Sequence, residues 1–249
     1  MRLFLILQAY GPTMLFVPIW DMNDLKRVRF QYVTVGLIIL NTLIYIIAET
    51  GLVWSSPDSF ADTFAFNPYG MASFHDVTAH LPRDYTLLTY MFVHGSFWHL
   101  FGNMLFLFVF GDNVEDALGH VRFVVFYLLC GVIAAIVHSA VTISPEVPLI
   151  GASGAVAGVI GAYVVLHPNV RVWVLFPVPV VTFLPLRFSA AIVIGLWITY
   201  QIASAIILAG EPTAWWAHVG GFFAGALLII VMRRRGVPLF DPETGVNNR

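Results

Sequence analysis

The stretch PLIGASGAVAGVIGAYVVLHP, residues 148–168, decides the fold. Pro148 and Pro168 bound it, and the helix that fits between them, Ser153–Leu166, is about 21 Å long at 1.5 Å per residue. The hydrocarbon core of a bilayer is roughly 30 Å thick, so a helix this apolar and this short does not cross it alone. Gly151, Gly154, Gly158 and Gly161 run along the segment, and small residues in a membrane let neighbouring backbones approach closely. The segment therefore reads as a short helix at the centre of a bundle, its beginning facing protein or water rather than lipid. Five longer apolar segments are available to surround it: residues 32–48, 98–114, 123–143, 188–208 and 215–232. The expected fold class is an all-α membrane protein, a six-transmembrane-helix bundle with a short central fourth helix.

Composition agrees. Of the 249 residues 59% are hydrophobic and 10% charged, with a mean hydropathy of +0.85, against about a quarter charged in soluble domains. A net charge of −2 with 12 Lys and Arg leaves no basic patch to track a nucleic-acid backbone, so no nucleic-acid partner is expected. The single cysteine, Cys130, permits neither an intrachain disulfide nor a cysteine metal cluster. The lipid bilayer is the expected surroundings.

If six spans alternate, nine of the 12 basic residues (Lys26, Arg27, Arg29, Arg122, Arg171, Arg187, Arg233, Arg234 and Arg235) flank the membrane on one side. The opposite loops hold Arg83 and the acids Asp58, Asp62, Asp76, Asp84, Glu146 and Glu211. Positive charge favours the cytoplasmic side, so a multi-pass protein of the cell membrane with both termini cytoplasmic is expected. Residues 1–29 read as an N-terminal interfacial arm, 30–235 as the helical domain and 236–249 as a cytoplasmic tail. The connection 51–97, rich in Trp54, Phe60, Phe64, Phe66, Tyr69 and Phe74, is expected in the outer headgroup region. The link 167–187, broken by Pro177, Pro179 and Pro185, is expected to skim the inner interface.

Strongly polar side chains inside a span are costly and are functional candidates by default. His99, Asn103, Ser153 and His218 all fall at the outer ends of their helices, on three separate segments. His99 and Asn103 are four apart and share a helix face. Ser153 opens a helix between small residues, where the helix dipole favours a developing anion. A serine nucleophile needs a base, and the neutral imidazole of His218 suits that work. His99 and Asn103 supply donors for a tetrahedral oxyanion. Taken singly, a serine in a small-residue run is commonly packing between helices and a lone histidine commonly structural; the coincidence of depth makes the argument. His94 reads as structural, and His75, His80, His120, His138 and His167 as interfacial. His94 and His99 are five apart and no H-E-x-x-H is present, so neither metal nor other cofactor is expected.

The chain resembles the rhomboid family of intramembrane serine proteases, in its bacterial-type six-span form, over residues 18–235. The likeness rests on His94-Gly-Ser-Phe-Trp-His99-Leu-Phe-Gly-Asn103, on Gly111-Asp-Asn-Val-Glu115, on Gly151-Ala-Ser153-Gly154, and on Ala217-His218-Val-Gly-Gly221 followed by Gly225. It implies Ser153 as nucleophile, His218 as base, His99, Asn103 and Gly151 around the oxyanion, Gly221 and Gly225 in helix packing, and transmembrane proteins as substrates. Two positions depart from the family pattern: Asp84-Tyr85-Thr86 follows Arg83 where many relatives have Trp-Arg, and Ala157 stands where some carry an aromatic that stacks on the base. Trp215 and Trp216 are then candidates to orient His218. The nearest acid in sequence, Glu211, has no tie to the imidazole. A client-binding pseudoprotease is the alternative reading; a transporter would require an inverted repeat, which the sequence lacks.

Overall fold

The computed structural model describes residues 17–51, 53, 56–68, 83–143, 147–176, 184–208 and 213–242. In chain order these form strand β1 (Val17–Asp21) and helices α1 (Tyr32–Thr50), α2 (Pro57–Phe64) and α3 (Arg83–Thr89). A 3-10 turn (Tyr90–Phe92) leads to α4 (Phe97–Leu118), α5 (His120–Val141) and α6 (Ser153–Leu166). Strands β2 (Arg171–Phe176) and β3 (Leu184–Ser189) precede α7 (Ala190–Ile207) and α8 (Trp215–Met232). Helices α1, α5, α7 and α8 are each long and apolar enough to cross a bilayer; α4 joins them only together with Asp84–Phe92, from which it turns by 90°. The connection after α1 thus has structure of its own, and Phe60 of α2 packs beside Ala48 and Val93. Residues 1–16 and 243–249, with Trp54, Tyr69, Phe74, His75, Asp76, His80, Glu146, Pro177, Pro179 and Glu211, lie outside the described residues.

Helix α6 is the short central element, buried without a break from Gly154 to Tyr163. Its glycines set the spacing. A Cβ on Gly221 would run into the carbonyl oxygen of Gly154, one on Gly225 into that of Gly158, and one on Gly161 into that of Phe222. Helices α6 and α8 therefore meet backbone to backbone, a contact that any side chain at these positions would push apart.

The link after α6, for which the sequence suggested no regular structure, forms the antiparallel strands β2 and β3, and β1 adds to them in the order β1-β2-β3. Alternation along β2 explains this. Val172 and Val174 are buried, while Trp173 points away beneath the guanidinium of Arg187, 4.3 Å from its ring centre. Pro185 is accommodated because β3 is an edge strand, where no ladder donor is needed on the free side. Phe188 and Ser189 belong to β3, so the fifth span begins at Ala190.

Carboxylates organise the end of the bundle near this sheet. Gln31, which precedes α1, provides no side-chain cap. Instead the fully buried Glu115 accepts hydrogen bonds from the backbone N–H groups of Val33 (3.0 Å) and Thr34 (2.8 Å) and from the Thr34 hydroxyl (2.7 Å), satisfying donors that a helix start leaves open. Asp116 accepts the N–H groups of Lys26, Arg27 and Val28. At this same end Lys26 pairs with Asp241, Arg27 donates to the Gly236 carbonyl, and Arg122 donates to that of Met232. The first turns of α4 and α6, which carry His99 and Ser153, are at the other.

Asp21, at the end of β1, accepts hydrogen bonds from the Tyr163 hydroxyl (2.6 Å) and the Asn113 amide (3.1 Å), tying β1 to the last turn of α6. Burial, and after it the nearby Asp112, pushes Asp21 from 3.8 up to about 8; Tyr163 offsets part of this and Asp24 adds a smaller upward push. A carboxyl with a raised folded-state value binds its proton more tightly when folded. Its contribution to stability is complete below about pH 4 and is lost as pH rises through about 8. Asp21→Asn, which has no proton to lose, is expected to flatten the decline of thermal stability in detergent between about pH 6 and 9. An unchanged decline would show that this carboxyl does not contribute to it.

Candidate active site

Ser96 caps α4, its hydroxyl accepting the N–H of His99 at 3.2 Å. This fixes where α4 begins and sets His99 and Asn103 one turn apart on the face toward the loop that precedes α6. That loop is pinned on both sides. Leu149 exchanges backbone hydrogen bonds with Phe66, and Gly151 N–H donates to the Tyr90 carbonyl at 3.0 Å. The Tyr90 hydroxyl reaches the Gly131 carbonyl at 2.7 Å, anchoring the support to α5.

Gly151 has a φ of +103°, and a Cβ there would lie 2.5 Å from His99 Nε2 and 3.5 Å from Asn103 Nδ2. Only glycine meets both demands, the left-handed backbone and the close approach of two side-chain nitrogens. The point where His99 and Asn103 converge is therefore at Gly151, two residues before the nucleophile candidate. His94 holds one side of it: its Nε2 is 3.1 Å from the Asn103 amide nitrogen and 3.5 Å from Ala152 N. Both are donors, so Nε2 accepts and the proton of neutral His94 sits on Nδ1.

Ser153 is the first residue of α6 and no side chain caps that helix. Its N–H and that of Gly154 belong to the open donors of a helix start. Ser153 Oγ is 2.9 Å from His218 Nε2. The other imidazole nitrogen, Nδ1, is 2.7 Å from Oε1 of Gln201 on α7. Trp215 stands edge-on to the imidazole at 6.2 Å between ring centres, and Trp197 lies tilted at 6.4 Å.

Four sequence-derived candidates thus meet in two adjoining groups, Ser153 with His218 and His99 with Asn103, joined through Gly151. Gly221 and Gly225 lie in the α6–α8 contact below them. The sequence reading missed Gln201, although a buried amide in the middle of an apolar span satisfies the same rule that singled out Asn103. It missed the support from Tyr90. Two histidines expected at the interface are buried instead: His138, on the α5 face one turn outward from Ala134, which touches Gly154, and His167 at the end of α6. Both face the core because they continue the packed sides of their helices.

The chain belongs to the Rhomboid family. A family model described as Rhomboid domain matches residues 82–235, which makes this a multi-pass membrane protein of a serine intramembrane protease family. It is similar to "Rhomboid protein 1, mitochondrial" of Saccharomyces cerevisiae, 28% identical over 162 residues covering 59% of this chain and 43% of that protein. It is 32% identical over 150 residues to "RHOMBOID-like protein 4" of Arabidopsis thaliana, covering 60% and 34% respectively. With "Presenilin-associated rhomboid-like protein, mitochondrial" of Mus musculus it shares 34% over 99 residues, 39% of this chain and 26% of that one. The chain spans less than half the length of these curated relatives.

Gly151→Ala tests the convergence of His99 and Asn103 on Gly151. The added methyl would collide with His99 and strain the backbone, so reaction of Ser153 with a serine-directed fluorophosphonate should slow by on the order of 10²-fold while helical content by circular dichroism stays unchanged. Labelling at the parental rate would mean that the close packing of His99 and Asn103 at Gly151 does not serve the serine.

Proposed function

We propose that this chain is an intramembrane serine endopeptidase that hydrolyses peptide bonds in or beside transmembrane segments of membrane-protein substrates with a Ser153–His218 dyad. The observation that carries the reading is the 2.9 Å contact between Ser153 Oγ and His218 Nε2. It occurs at the start of a glycine-flanked helix, beside Gly151, on which the side-chain nitrogens of His99 and Asn103 converge. The family supports the protease class; the assignment of the dyad and of activity is our reading of the geometry.

In this mechanism Ser153 Oγ attacks the scissile carbonyl carbon as its proton passes to His218 Nε2. The carbonyl oxygen becomes the oxyanion, held by His99, Asn103 and the open N–H groups of Ser153 and Gly154, which are fixed before charge develops. Collapse of the tetrahedral intermediate breaks the C–N bond, and the proton on Nε2 goes to the leaving amine. Water, activated by the same nitrogen, then hydrolyses the acyl-serine and returns the proton to Oγ. Residues 30–235 are the unit we assign to this chemistry. We further assign the protein to a cell membrane with both termini cytoplasmic, because the basic residues at the sheet end of the bundle favour that side.

Ser153→Ala and His218→Ala should each lower turnover of a single-span model substrate by about 10⁴-fold or more, with the double variant no worse than either single. The check is product formation by mass spectrometry in proteoliposomes. Additive losses would contradict a dyad acting as one unit, and full turnover by Ser153→Ala would remove the function itself.

A further inference from the structure

We propose that Gln201 is a positioning residue for the base: its side-chain carbonyl, presented from α7, selects the His218 tautomer that can take the Ser153 proton. The inference rests on the dyad reading above and adds a third member on a third helix.

The argument begins with what an amide oxygen is able to do. Gln201 Oε1 lies 2.7 Å from His218 Nδ1, and an amide oxygen only accepts. The proton of neutral His218 therefore sits on Nδ1, and the lone pair of Nε2 faces Ser153 Oγ at 2.9 Å. With the opposite tautomer Nε2 would present a hydrogen to the serine and no base would exist. The same oxygen keeps its hydrogen bond when Nε2 gains the serine's proton, so the imidazolium forms without rotating away from the leaving amine.

Burial makes a purely packing role a poor account of this residue. Gln201 is 2% exposed in an apolar helix, where an amide carries a desolvation cost that Leu or Met of similar volume would not. The other restraints on the ring do not set its tautomer. Trp215 and Trp197 limit its swing through ring contacts at 6.2 and 6.4 Å. On the α6 side Ala157, one turn after the nucleophile, has no ring to stack. Among the described residues, the hydrogen bonds of the His218 ring are those to Ser153 and Gln201.

Fluorophosphonate inactivation of the full chain in proteoliposomes separates the possibilities, because it yields a maximal rate and a half-saturating concentration independently. Gln201→Leu, which fills the space without an acceptor, should lower the maximal rate by on the order of 10- to 100-fold with half-saturation unchanged. Gln201→Glu, which keeps an acceptor oxygen at the same reach, should recover most of it. Gln201→Ala carries the same expectation as Leu should the latter not fold. A parental maximal rate in Gln201→Leu or Gln201→Ala would overturn the proposal while leaving the dyad standing, as would equal losses in Leu and Glu. Failure of the unaltered protein to label at Ser153 would instead overturn the dyad reading itself.

Discussion

The backbone contact between α6 and α8 is the constraint on which the rest of the structure depends. Between apolar helices in lipid there is no hydrophobic gain from association, so close van der Waals packing has to supply it. Here Gly221 and Gly225 lie so close to the carbonyls of Gly154 and Gly158, and Gly161 to that of Phe222, that a Cβ at any of the three would meet the backbone of the other helix. Ser153 precedes Gly154 and His218 precedes Gly221 by three residues, so the interlock that joins the helices also sets the distance between Ser153 and His218. Helix α6 is too short to span a bilayer alone, and its uncapped first turn starts among residues of α5 and α8 rather than facing lipid.

The opposite end of the bundle supplies the rigidity this needs. Glu115 and Asp116 gather N–H groups from α1 and the segment before it, and Asp21 ties the sheet to Tyr163 in the last turn of α6. Helix α6 is thus held at its base by hydrogen bonds and along its length by glycine contacts. Its first turn is flanked by the loop that Tyr90 and Phe66 secure. Buried polar groups are expensive, and Glu115, Asp116 and Asp21 gather at one end of the bundle while His94, Asn103 and His138 lie toward the other.

Much of this was legible in the sequence. The limits Ser153–Leu166 and Trp215–Met232 follow from prolines, glycines and charge clusters, and His99, Asn103, Ser153 and His218 were visible as polar residues at one depth. The sheet was not, because Val172-Trp173-Val174 sits among prolines and apolar residues that mask the two-residue alternation of a strand. Its third strand comes from an arm more than 150 residues earlier, a pairing no local pattern announces. Gln201 was passed over because it lies mid-helix rather than at the outer end, and its reach across to Nδ1 depends on how α7 leans on α8. His138 and His167 were misjudged for a related reason: a histidine's burial depends on which helix face is packed, and that is a tertiary property.

The most direct measurement is the effect of a methyl group introduced below the reacting atoms. Gly221→Ala adds one against the Gly154 carbonyl, whereas Gly36→Ala and Gly195→Ala add one where nothing lies within 4 Å. Fluorophosphonate labelling of Ser153 in the three variants, reconstituted side by side, should fall by on the order of 10²-fold in Gly221→Ala, as expected for a misplacement of about 1 Å, and stay at the parental rate in the other two. Parental labelling in Gly221→Ala would contradict the claim that the glycine contact between α6 and α8 sets the site.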